Sequence, residues 1–181
     1  MKLAKIVSPE DWLAERTALL EREKAFTRAR DELSAARRDL PWVRVEKDYV
    51  FTSPEGEKTL SDLFDGRSQL MIYHFMLGPG WKQGCKSCSY LADHFGPAVI
   101  HLAHRDVSFV SVSRAPLAEI EFFKKRMGWT FPWVSSFEAD FNWDFHVSFN
   151  QEQVDAGETP YNYRLMRFPE TEAPGLSVFA K

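Results

Sequence analysis

Residues 69–89 read QLMIYHFMLGPGWKQGCKSCS, and the reading of this stretch decides the fold. Gln69–Leu77 is nearly all apolar, as expected of a central strand covered on both faces. Gly78-Pro79-Gly80 ends it. Cys85 and Cys88 follow. The chain is then predicted helical to Phe95, broken at Gly96-Pro97, and helical again from Ala98 to Arg105. The two cysteines therefore stand where a buried strand hands over to a helix.

Working outward, Val107–Val112 is a second buried strand, and Pro116–Met127 is an amphipathic helix closed by Gly128. Phe131–Ser135 reads as a strand, Glu138–Phe149 is ambiguous, and Gln151–Pro169 is polar and read as a loop or insertion. Gly175–Phe179 (GLSVF) is a strand. Upstream, Val43–Val45 and Tyr49–Thr52 are short β-type runs. Ser53-Pro54-Glu55-Gly56 is a turn, and Leu60–Phe64 is a short helical turn closed by Asp65-Gly66. Strand and helix alternate, which predicts an α/β sheet with parallel members.

Ser8-Pro9-Glu10-Asp11 carries helix-start chemistry: a hydroxyl to cap, a proline in the first turn, and acids at the positive end of the dipole. No Pro or Gly interrupts residues 10–38, so one long helix is expected from Pro9 to Arg38. Trp12, Leu19, Phe26 and Leu33 recur every seven residues and share a face. This face offers a surface for the rest of the chain or for a homo-oligomer. The expected domains are a helical extension, 1–40, and an α/β domain, 41–181.

Of the 181 residues 44 % are hydrophobic and 27 % charged, the balance of a folded chain rather than a disordered one. The formal net charge of −3 argues against nucleic acid or an anionic membrane as partner. No stretch approaches the roughly 20 apolar residues that span a bilayer, and the N-terminus lacks the apolar core of a secretory signal. A cytoplasmic address is expected.

The chain has only two cysteines. Their Cys-x-x-Cys spacing is too sparse for a structural disulfide framework and suits reactive thiols. At a helix start Cys85 meets unpaired backbone N–H groups, and Lys86 adds a positive charge; both favour thiolate. Cys88, one turn on, can resolve a mixed disulfide. Cys85-x2-Cys88-x12-His101-x2-His104 also approaches a zinc pattern, though the histidine spacing is short. If residues 88–101 were one helix, the separation would be about 20 Å. No metal and no cofactor are expected.

Several further runs are distinctive: Leu63-Phe64-Asp65-Gly66-Arg67-Ser68-Gln69-Leu70, Tyr73-His74-Phe75-Met76, and Gly84-Cys85-Lys86-Ser87-Cys88-Ser89. So are Ser113-Arg114-Ala115-Pro116-Leu117, Arg126-Met127-Gly128-Trp129, Phe131-Pro132-Trp133-Val134-Ser135-Ser136, Phe141-Asn142, and Asp144-Phe145-His146-Val147-Ser148-Phe149. Over nearly its whole length the chain resembles the thioredoxin-like family known as domain of unknown function 899, whose members are described as predicted dithiol-disulfide oxidoreductases. The resemblance implies a three-layer thioredoxin-like fold with a mixed sheet, here preceded by the long helix, and a redox pair at Cys85 and Cys88. Members of that family continue past the strand at Gly175–Phe179 with further sheet and a His-Thr-Tyr-Ser motif. The expectation is therefore that the C-terminal part of the fold is missing from this chain.

In thioredoxin folds a cis-proline precedes the strand beside the dithiol and shapes the substrate groove. Pro174 stands in that place, with an ordinary trans-proline at a strand start as the alternative. His74, on a face with Leu70, Ile72 and Met76, is a candidate proton carrier beneath the dithiol; a hydrogen-bonded core histidine is the commoner role. Trp81 either shields the dithiol or packs the loop. Asp93 and Arg114 are read as solvated or structural before functional. The expected activity is thiol-disulfide exchange with a disulfide-containing protein or a small thiol, served by a reductant such as a thioredoxin or glutathione system. The alternatives are a peroxiredoxin-like thiol peroxidase, a non-enzymatic interaction module, and a zinc site. The peroxidase pattern Pro-x-x-x-Thr-x-x-Cys is not met, because Gly78 and Lys82 occupy the Pro and Thr positions.

Overall fold

The computed structural model describes residues 4–181. The chain divides into two units, Met1–Glu46 and Lys47–Lys181, six residues later than the boundary expected from the sequence.

The first unit is essentially one helix, α1, Pro9–Arg38. Ser8 caps it by accepting from the Asp11 N–H at 3.1 Å, with Pro9 in the first turn and Arg37 and Arg38 in the last. No residue of α1 is buried, so its heptad of Trp12, Leu19, Phe26 and Leu33 is exposed. Val43–Val45 forms no strand, contrary to expectation. Val43 is 89 % exposed, and among the described residues no strand pairs with it.

The second unit is built on a six-stranded sheet. Its strands are β1 (Val50–Ser53), β2 (Gly56–Thr59), β3 (Gln69–His74), β4 (Val107–Ser113), β5 (Trp133–Ser135) and β8 (Gly175–Ala180). Their order is β2-β1-β5-β4-β3-β8. β3, β4 and β5 are parallel, while β8 pairs antiparallel with β3 in the register His74↔Gly175. The β1–β2 hairpin turns at Gly56, whose φ of 116° a side chain would resist.

Helices α2 (Lys86–Ala92), α3 (Phe95–Ala103) and α4 (Leu117–Met127) cover one face of the sheet. They bury Tyr73, Phe75, Cys88, Phe109, Phe123 and Trp133 beneath them. The short helix α5 (Phe141–Asp144) and the turn at Asp62–Phe64 cover the other face, over Phe51, Leu70, Ile72 and Val112. This is the expected mixed α/β sheet between two layers.

Two local expectations change. The helical break falls at Asp93–His94 rather than Gly96-Pro97, because Pro97 fits the first turn of α3, where its missing N–H costs nothing. The segment read as a polar loop contains α6 (Gln151–Ala156) and a hairpin of β6 (Thr159–Tyr161) and β7 (Arg164–Met166). α6 opens with a reciprocal capping box between Asn150 and Gln153. Among the described residues no helix is long and apolar enough to cross a membrane.

Candidate functional site

Cys85 is the N-cap residue of α2, at the end where β3 delivers the chain. Its backbone is held from both sides. The N–H donates to the Met76 carbonyl at 3.1 Å, and the carbonyl accepts from the Ser89 N–H and the Ser89 hydroxyl, each at 2.9 Å. Gly84 permits this approach: a Cβ there would lie 2.8 Å from Phe75 Cζ and 3.1 Å from Phe123 Cε1. Both cysteines are free thiols, Cys85 half-buried and Cys88 buried. Lys86, the first helical residue, is exposed.

Cys88 packs in the same apolar layer as Tyr73. Burial pushes its thiol pKa up, and the Tyr73 hydroxyl and the backbone at Met76 oppose that shift. The Tyr73 hydroxyl is buried and makes no hydrogen bond of good geometry. Its own pKa is raised by burial first and by the Cys88 thiol next. Tyr161 lies close enough that Cys88 adds to the upward shift that burial imposes on it, and its hydroxyl donates to the Pro174 carbonyl at 2.7 Å.

His74 lies elsewhere. Successive strand residues point to opposite faces, so His74 enters the layer opposite Tyr73 and Cys88. It stacks on Phe141 with ring centroids 5.4 Å apart, and its Nε2 meets Ser177 Oγ at 2.9 Å. Its Nδ1 is buried without a partner, and burial lowers its pKa to about 4. A proton on Nε2 donated to Ser177 leaves only a lone pair unpaired. His74 is thus a neutral core residue rather than a proton carrier beneath the dithiol. Met76 also departs from expectation: it packs in the Cys88 layer, while Leu70 and Ile72 share the face of His74.

Pro174 opens β8, but no cis peptide bond occurs among the described residues, so the Ala173–Pro174 bond is trans. The antiparallel pairing of Gly175 with His74 is made with that trans bond. Trp81 is half-buried, packed on the Cys88 layer and folded over Gly78, whose Cβ would meet Trp81 Nε1 at 3.0 Å. His101 and His104 are exposed. Among the described residues no group of three or more His, Cys, Asp or Glu side chains is arranged to hold a metal. Asp93 accepts from Trp129 Nε1 at 2.9 Å.

Arg114 takes part in a polar cluster that the sequence reading passed over. Its Nε donates to Glu172 Oε1 at 2.7 Å, and its guanidinium lies 4.7 Å from the Trp143 ring centroid. Ser148 Oγ donates to Glu172 Oε2 at 2.6 Å. Burial nonetheless holds the Glu172 pKa above the ordinary carboxylate value, with Ser148 and Arg114 pulling the other way. The cluster borders the loop leading to Cys85, because a Cβ at Gly78 would also touch Glu172 Cγ at 3.1 Å.

Solved structures share this architecture. The bacterioferritin comigratory protein of Xanthomonas campestris superposes with a TM-score of 0.51 at 14 % identity, covering 72 % of this chain and 73 % of that one. A hypothetical protein from Sinorhizobium meliloti gives 0.50 at 10 % identity, covering 78 % and 66 %. At such identity the likeness shows the fold, which is thioredoxin-like. No curated protein sequence matches the chain. The family model described as "Bacterial protein of unknown function (DUF899)" matches residues 1–181, and the chain belongs to that family.

Proposed function

We propose that the protein is a dithiol-disulfide oxidoreductase. The observation that carries this reading is the placement of Cys85 at the N-cap of α2, with Cys88 buried one turn behind it and no other cysteine in the chain. Cys85 as thiolate attacks one sulfur of a substrate disulfide, forming a mixed disulfide and expelling the other half as thiolate, which takes a proton from water. Cys88 then loses its proton and attacks Cys85 Sγ, expelling the second half. The substrate gains two electrons, and the chain is left with a Cys85–Cys88 disulfide. A small thiol, or a thioredoxin or glutathione system, returns it to the dithiol. A reducing compartment such as the cytoplasm suits a pair kept ready in this way.

The test is reduction of insulin or of a small disulfide, with mass spectrometry of trapped adducts. Cys85→Ser should abolish exchange. Cys88→Ser should accumulate the mixed disulfide, because attack proceeds and release does not. No exchange and no adduct under any reductant would refute the assignment.

A thiol peroxidase is the second reading. It is favoured by the fold shared with the Xanthomonas protein, which is described with alkyl peroxide reduction activity. Gly78 and Lys82 weigh against it. Consumption of an alkyl hydroperoxide without disulfide exchange would establish it over the first.

A further inference from the structure

A groove of about 470 Å³ runs between the segment Trp81–Lys82 and the outer face of α4, where Glu119, Phe122, Phe123 and Arg126 line it. Its Phe123 wall reaches the residue before Cys85: Phe123 Cε1 stands 3.1 Å from where a Cβ of Gly84 would be. Its floor is aromatic. Phe122 is 69 % exposed, an apolar ring that the core does not use. Two cations, Lys82 and Arg126, and one carboxylate, Glu119, line it. Glu119 is engaged by the loop, accepting from the Gly80 N–H at 2.9 Å. Lys82 and Arg126 are exposed, and neither joins an ion pair among the described residues. The Arg126 guanidinium lies 4.7 Å from the Phe123 ring centroid, which places that cation at the apolar floor.

We propose that this groove receives the substrate and selects an acidic peptide disulfide. An apolar side chain next to the reacting cysteine lies on Phe122 and Phe123, and a neighbouring carboxylate faces Lys82 and Arg126. The inference rests on the dithiol reading above and names its substrate class. Aromatic walls supply contact area, and two unpaired cations make acidic sequences the complementary partners. Exposed cations act over a Debye length, so the selection is sensitive to salt.

The experiment uses the reduced protein and blocked tripeptides oxidised to homodimeric disulfides: Cys-Phe-Glu, Cys-Phe-Lys and Cys-Gly-Glu. Bis(2-hydroxyethyl) disulfide serves as an uncharged reference. The second-order rate of oxidation of the protein is read by stopped flow. The Cys-Phe-Glu dimer should react at least about tenfold faster than the Cys-Phe-Lys dimer at low ionic strength. That advantage should shrink as salt rises from about 10 mM to about 0.5 M. The double variant Lys82→Glu/Arg126→Glu should reverse the order of the two peptides, and Phe122→Ala should erase the advantage of Cys-Phe-Glu over Cys-Gly-Glu. Both charged sites are exposed, so folding is not at stake. Equal rates for the Glu and Lys peptides, or a preference that survives charge reversal, would overturn the groove while leaving the dithiol reading intact. Failure of all four disulfides to react would overturn both.

Discussion

Arg114 Nε donates to Glu172 Oε1 at 2.7 Å, and it does so to a carboxylate only 2 % exposed. Removing one partner of such a pair strands the other in low dielectric. Arg114→Ala should therefore lower the unfolding free energy at neutral pH by about 3–5 kcal/mol. Burial already holds the Glu172 pKa above 4.5, so its contribution is fully present below that value and is lost as pH rises through the folded-state pKa. Without Arg114 that window widens upward. Urea denaturation across pH should show the variant regaining wild-type stability as pH falls toward 4.5. A variant penalty that stays constant with pH would contradict this.

His74 gives the opposite sign. Burial depresses its pKa from 6.5 to about 4, so its contribution is complete above 6.5 and is lost as pH falls toward 4. The loss should be on the order of 3 kcal/mol. His74→Leu combined with Ser177→Ala removes the titrating group and its partner together, and should flatten stability between pH 7 and 5. A double variant as acid-sensitive as the parent would show that another group is responsible.

Tyr73→Phe should alter Cys88 and little else. The hydroxyl is the largest influence opposing the upward push of burial on that thiol. Its loss should push the Cys88 pKa further up and so slow alkylation of Cys88, followed in the Cys85→Ser background, at a given pH. Stability should hold or rise, because a buried hydroxyl without a good partner disappears. Unchanged alkylation would remove Tyr73 from the site.

Gly84→Ala should be damaging and Gly96→Ala mild. A Cβ at Gly84 runs into the ring of buried Phe75, 2.8 Å from Cζ, whereas at Gly96 the nearest atom is Thr130 Oγ1 at 3.7 Å. Overpacking of this kind costs about 1–3 kcal/mol. Within α3 the other change should be neutral or gain up to about 1 kcal/mol. Thermal unfolding of the two variants checks the contrast.

Much of this was legible in the residues. Ser8-Pro9 and the unbroken run behind them mark both ends of α1, and the apolar stretches from Gln69 and from Val107 are both strands, parallel to each other. Alternation along β3 also separates Tyr73 from His74. Which of the two faces meets the dithiol depends on the side to which α2 crosses, and no local pattern encodes that. The hairpin at Asn162 and Tyr163 was hidden for another reason: both residues take positive φ without a glycine to announce the turn. The Asn150…Gln153 capping box was a readable signal of α6 that the polar composition obscured. Glu172 gave no hint at all, because its Arg114 partner is 58 positions away.

Trp81, Trp129 and Trp133 are packed into the same layer as Cys85 and Cys88. Sulfur in contact with an indole drains its excited state, and a thiol and a disulfide do so to different extents. On the proposed cycle between dithiol and disulfide, the protein would therefore carry its own optical gauge. Its emission should step between two levels as the solution potential is swept, so the midpoint can be read from unlabelled protein. Trp12 and Trp42, both well exposed, contribute a steady background against which that step is measured.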